Sequence, residues 1–166
     1  MPTATSPRLR PLVVRHDEAE VLGSDPDTIR LLANGPDCGA FLSATRVQLG
    51  NGQGGATPHL HRSAAELFFI LDGALQVLIG DEVVTARPGD TLVVPPDTVH
   101  AFGAAPGSTA DALIVIAPGI ERTAYFGLLD RVRRGLANPD ELVRTQDLYD
   151  NHFTSSTAWD DARQTA

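Results

Sequence analysis

Up to residue 117, apolar residues fall in short blocks separated by glycine, proline and aspartate. Residues 66–71 read Glu-Leu-Phe-Phe-Ile-Leu, and Asp72-Gly73 follows as a hairpin-turn dipeptide, because Asp-Gly readily supplies positive φ. The blocks at 74–79 and 82–86 flank a second turn, Gly80-Asp81. Pro88-Gly89-Asp90 precedes the β-branched run at 91–94, Pro95-Pro96-Asp97 ends it, and His100 opens the next block. Residues 110–117, ADALIVIA, read as a buried strand. Upstream, 28–33 and 40–49 are strand-like on either side of the turn cluster 34–39, and 11–15 predicts a first short strand. Many short strands punctuated by turns predict an all-β domain, an antiparallel β-barrel or jelly roll.

After Pro118-Gly119 the period changes. Tyr125, Leu129, Val132 and Leu136 recur at spacings of four, three and four, the period of an amphipathic helix. Arg131, Arg133 and Arg134 populate its polar side and last turn, and Gly135 stands near its stop. Asn138-Pro139-Asp140-Glu141 reads as the start of a second helix, with Leu142, Tyr149 and Phe153 along one side. Residues 154–166 are polar and aperiodic, and predict a flexible tail despite Trp159. The expected organisation is a barrel over 1–117, two C-terminal helices over 118–153 that pack on or cap it, and a tail over 154–166. No internal repeat is evident.

The candidate chemistry lies in two stretches. His59 and His61 are two apart. On a strand that spacing puts both rings on one face, roughly 6–7 Å apart, so both imidazoles can converge on one ion. Glu66 opens the following strand, where its carboxylate can face the pair, and His100 opens a later one. His59, His61, Glu66 and His100 therefore form a candidate metal site at the barrel mouth. If Glu66 and His100 point inward, alternation carries Phe68, Ile70 and Phe102 inward too, as an apolar substrate pocket. The opposite face, with Leu67, Phe69 and Leu71, is also apolar, as when a second sheet or a partner subunit covers it.

These residues resemble the cupin superfamily. His59-x-His61-x4-Glu66-x6-Gly73 is similar to its first motif, although Gln53 stands at the position of the opening glycine. Gly89, Pro95 and His100 match the second motif, with Asp97 where glycine is usual and Ala104 where asparagine often follows. A single cupin unit followed by two helices looks like the small bacterial quercetinase-type dioxygenases, and Tyr149-Asp150-Asn151-His152-Phe153 is similar to the end of their C-terminal helix. The resemblance implies a cupin jelly roll in which His59, His61, Glu66 and His100 hold one metal. It implies Glu66 as the catalytic base on a flavonol hydroxyl, and dioxygen as the reagent that opens the ring. His152 is expected on the helix and away from the metal.

Three imidazoles and a carboxylate leave one or two positions open on a divalent ion, as in catalytic sites. Mixed nitrogen and oxygen ligation suits Ni, Fe, Co, Mn or Zn alike. The expected partners are a small aromatic enol or phenol and O2. A metal-dependent polyketide cyclase or isomerase, and a small-molecule-binding module, are the alternatives on the same four residues. An apolar inner face argues against sugar phosphates and small dicarboxylates, which want inward cations.

Composition narrows the classes further. The chain has 166 residues, enough for one domain with its own core. Net charge is −8 and there is no lysine, a balance without a basic cluster that argues against a nucleic-acid footprint. The glycine-rich segment 50–55 leads into a strand and not a helix, so it reads as a rim loop and not a phosphate cradle. Cys38 is the single cysteine, a bystander thiol with no internal disulfide to make. Residues 1–10 lack an apolar signal core and no apolar run is long enough to span a membrane, so the cytoplasm is the expected place. A leftover sheet edge favours a homodimer.

Overall fold

The computed structural model describes residues 11–164. Its strands are β1 (Val21–Ser24), β2 (Asp27–Ala33), β3 (Ser43–Leu49), β4 (Gly54–Leu60), β5 (Ala65–Gly73), β6 (Leu75–Ile79), β7 (Glu82–Ala86), β8 (Thr91–Val94), β9 (His100–Ala104), β10 (Ala110–Ala117) and β11 (His152–Phe153). They form two antiparallel sheets. One has the order β1-β2-β3-β10-β5-β8, the other β11-β4-β9-β6-β7. Side chains from both inner faces fill the space between, among them Val47, Phe68, Ile70, Leu75, Val77, Val94 and Ile114. This is the jelly roll expected from the block pattern.

Alternation along β5 sets the inside. Glu66, Phe68 and Ile70 are buried, whereas Phe69 and Leu71 are 36% and 41% exposed. The outer face of this strand is thus apolar and solvent-facing within the chain.

Gly80 has φ 63, and Ile79 pairs with Glu82 across it, so Gly80-Asp81 is the two-residue hairpin expected. Asp72-Gly73 is not. β5 and β6 lie in different sheets, and the chain crosses between them at Gly73-Ala74, where the Ala74 amide donates to the Thr109 carbonyl. The dipeptide has the φ it was expected to have, 71° at Gly73, but a turn's geometry does not say which sheet receives the next strand.

Residues 11–15 form no strand; the edge is the β1–β2 hairpin. The first expected helix is α1 (Thr123–Arg133), and it stops before Leu136, which is 59% exposed. The second breaks into α2 (Asp140–Arg144) and α3 (Gln146–Tyr149). Asp150 there adopts φ 47, which ends the helix and turns the chain into β11. His152 is therefore a strand residue, paired with Leu60 of β4.

The tail is also ordered as far as it is described. Residues Thr157–Gln164 form α4, and Trp159 packs with Leu78 and Ala101 on the outside of the five-stranded sheet. Arg163 donates to the carbonyls of Gly52 and Ala104 at 2.6 and 2.7 Å, and to the Gln76 side chain at 3.0 Å. A polar helix this short holds through one buried ring and one arginine, neither of which makes a periodic pattern.

Trp159→Ala should lower unfolding free energy by about 3 kcal/mol, the usual cost of truncating a buried aromatic. Urea unfolding followed by far-ultraviolet circular dichroism measures it, and an unchanged midpoint would mean that the tail carries no stability.

Candidate metal centre

His59 lies near the end of β4, His61 just beyond it, and His100 at the start of β9. His59 and His100 are directly paired in the β4–β9 register. Glu66 enters from the other sheet, on β5, between Val94 of β8 and Ile116 of β10. The site thus bridges the two sheets at one end of the barrel. All four side chains are buried, and their ligand atoms lie within 4.8 Å of one another.

Backbone carbonyls orient the three rings. The Nδ1 positions of His59, His61 and His100 face the carbonyl oxygens of Thr57, Asp150 and Thr98. Each Nδ1 therefore carries a proton, and each Nε2 turns toward the centre. His100 Nε2 stands 2.6 Å from Glu66 Oε2, and His61 Nε2 stands 3.3 Å from the same oxygen.

The electrostatics follow from this crowding. Burial, then the neighbouring His100 charge, push the His59 pKa down to about 3, so it is a neutral ligand at pH 7. Burial opposes charge on Glu66, but its bond with His100, and the His61 ring beside it, hold it well below the ordinary carboxylate range. Burial lowers His100, yet the Glu66 bond and charge outweigh it and raise the group. The Glu66 bond thus favours a proton on His100 Nε2, facing the carboxylate. Three nitrogen lone pairs and a carboxylate aimed at one buried point are a donor set for a divalent ion, which would displace that proton. The four residues fit such a metal.

Asp150 holds the motif from outside the barrel. Its carbonyl receives the His61 Nδ1 proton, and its carboxylate accepts the Arg62 and Ser63 amides at 2.8 and 2.9 Å and the Ser63 hydroxyl at 2.6 Å. Burial would raise this carboxyl, but the Ser63 and Arg62 bonds keep it below its ordinary value. The clamp is thus fully present above the ordinary carboxylate pKa and is lost as pH falls through the depressed one. His152 faces Asp150 at 3.3 Å and Asp147 at 3.8 Å, and takes no part in the centre.

A cavity of about 290 Å³ opens onto His59 and Glu66. Its apolar walls are Ile29, Gly55, Ala56 and Phe102 from the barrel, Tyr125, Phe126 and Leu129 from α1, and Leu142 and Phe153 beyond it, and its polar lining is Thr57, Arg122, Arg133 and Asn151. Residues of α1, with Leu142 of α2, thus form one side of the pocket. Of the three pocket residues read from alternation, Phe102 lines the cavity. Phe68 and Ile70 do not; both are fully buried in the core, deeper along the same inward face. Gly55 is required where it stands, because a Cβ there would lie 2.3 Å from the Phe102 ring. A larger groove of about 580 Å³ under the β1–β2 hairpin borders this cavity at Ile29, Gly55 and Arg133, but none of the four ligands lines it.

The expected wholly apolar interior fails at Arg122. The residue is 4% exposed, and Nη2 lies 3.2 Å from His61 Nε2. The Asn34 side-chain oxygen accepts the Arg122 amide at 2.8 Å, which fixes the chain just before α1. Arg122 sits in an aperiodic stretch, so no pattern in the sequence marks it as inward. Asp97, at the usual glycine position, has φ 59, and its amide donates to the His61 carbonyl. Aspartate is among the few residues that tolerate this left-handed geometry, so the departure keeps the turn.

Residues 45–117 match the cupin domain family model. This part of the chain is a cupin domain, in agreement with the motifs and the two-sheet fold. KdgF from Halomonas sp. is 20% identical, with 70% of this chain and 99% of that chain covered at a TM-score of 0.58. The polyketide cyclase RemF from Streptomyces resistomycificus is 20% identical, covering 66% and 80% at 0.53. Pac13, a nucleoside dehydratase from Streptomyces, is 15% identical, covering 66% and 83% at 0.53. At these identities the likeness shows the fold alone. No curated protein sequence matches the chain.

Two outcomes are expected. His59→Ala combined with His61→Ala should abolish metal retention in elemental analysis, and full occupancy would remove the site. In wild type, metal uptake should release a proton at any pH where His100 is protonated, read with a pH indicator in weak buffer, and affinity should fall as pH is lowered through the raised His100 pKa.

Proposed function

We propose that the protein is a metal-dependent cupin dioxygenase acting on a small aromatic enol or phenol, as the quercetinase-like motifs imply. The observation that carries this reading is the adjoining of two features. The buried three-histidine, one-glutamate cluster opens directly into a small cavity walled by Phe102, Tyr125, Phe126 and Leu129. A planar apolar molecule that enters it reaches the cluster at His59 and Glu66, against this aromatic wall.

A bound divalent ion, one of Ni, Fe, Co, Mn or Zn, supplies Lewis acidity that lowers the pKa of a substrate hydroxyl. The chain's own residues do the rest. Glu66 lines the cavity and is the acceptor for the hydroxyl proton. His59, His61 and His100 are kept in one tautomer by their carbonyl partners, so their Nε2 atoms stay available as ligands. The aromatic roof of α1 keeps bulk water from the electron-rich anion, and O2 is the reagent that then adds to it. A non-redox polyketide cyclase is the second reading, favoured by the shared fold of RemF and by the same cavity.

Metal analysis of the purified protein, followed by aerobic and anaerobic turnover of a flavonol panel, separates these readings. The dioxygenase consumes O2 with product; equal turnover without O2 would mean a cyclase, and no turnover a binding module. Glu66→Gln tests the base. It preserves shape and one acceptor oxygen, so it should retain much of the metal yet lose roughly 10²–10⁴ in rate, the usual loss for a general base. Metal and activity falling together would make Glu66 an anchor only.

A further inference from the structure

Arg122 is a buried charged group whose chemistry the proposed reaction leaves unused. It is one of the residues that line the metal-site cavity. Two of its nitrogens, Nε and Nη1, are buried without any hydrogen-bond partner, and the third bonds only to His61 Nε2 at 3.2 Å. The plane is steadied by Tyr125, whose ring centre lies 4.8 Å from Cζ, and by Phe126 at 5.7 Å. A guanidinium cannot shed its charge, and a fold does not usually bury one with its fork empty. The Asn34 bond to the Arg122 amide shows that the placement is built and not incidental.

A metal ion at the centre sharpens the demand, because it uses the His61 lone pair that Arg122 now shares. We propose that Arg122 is the anion-recognising residue of this cavity. Its ligand is a ring compound bearing an ionised oxygen group, carboxylate or phenolate. The charged oxygen meets the empty fork beside His59 and Glu66, and the ring lies against Phe102, Tyr125 and Phe126. This deepens the reading of the same cavity given above, since it names the charge state the substrate brings. It also sets specificity, because an uncharged analogue of equal shape would leave the fork unpaired.

Calorimetric titration of the metal-free and zinc-loaded protein tests this. The probes are benzoate against benzamide, and 4-nitrophenolate against 4-nitroaniline at a pH where the phenol is ionised. Wild type should prefer at least one anion over its neutral match by about 10-fold, as expected for a charge-assisted hydrogen bond. The pair that shows the preference identifies carboxylate or phenolate. R122Q should bind the members of that pair equally, while R122K, which retains a point charge without the planar fork, should keep a reduced preference. R122Q should also unfold at the same or higher temperature, because an unpaired buried charge has been removed. Equal binding of all four probes to wild type, or an anion preference that survives in R122Q, would overturn the proposal. If R122Q does not fold, a preference unchanged in R122K overturns it, and a weakened one supports it. Anion preference in the metal-free protein is read without metal or turnover. A protein that takes up no metal would therefore defeat the dioxygenase reading and leave this one standing.

Discussion

Four lone-pair donors are forced to share one dry point, and most of the local structure exists to keep them there. Left alone, imidazole nitrogens and a carboxylate would separate and hydrate. Here the His59–His100 pairing across β4 and β9 holds two rings with centres 4.2 Å apart, and β5 delivers Glu66 from the facing sheet. The carbonyls of Thr57, Thr98 and Asp150 then prevent the rings from flipping. Each of these contacts is individually modest. Together they replace the hydration that the donors lose on burial.

The barrel and its appendage divide the labour. The strands bring the ligands together, whereas the segment after β10 decides what may approach them. Tyr125, Phe126 and Leu129 line the mouth with apolar surface, and Arg122 places a buried fixed charge beneath it. The interior is therefore neither the wholly apolar pocket of an alternation argument nor a polar basin. It is an apolar box with one cationic wall and one metal-binding wall, and those opposed demands define what fits inside.

What could be read from the sequence follows the range of the interactions. His59, His61 and Glu66 lie within one short stretch, and their spacing shows on a line of text. His100 was reachable through the matching break at Pro95. Phe68 and Ile70 were assigned the correct face but the wrong depth, since alternation reports direction and not distance from the mouth. Arg122, Asn34 and Asp150 were out of reach. Their partners are 61 to 89 residues away, and a lone arginine in an aperiodic stretch carries no mark of its destination. The crossing at Gly73 and the docking of α4 were missed for the same reason. In both, a long-range contact chooses among local conformations that the residues permit equally well.

The turn at Asp150 ties two inheritances together. Its backbone carbonyl orients His61, while Asn151 and Phe153, immediately after it, line the cavity. A lineage that alters this short segment to admit a differently shaped molecule also disturbs the hold on an ion. Such changes are pleiotropic by construction. On the α1 side, by contrast, Phe126 and Leu129 line the cavity without holding any of the four metal-site residues.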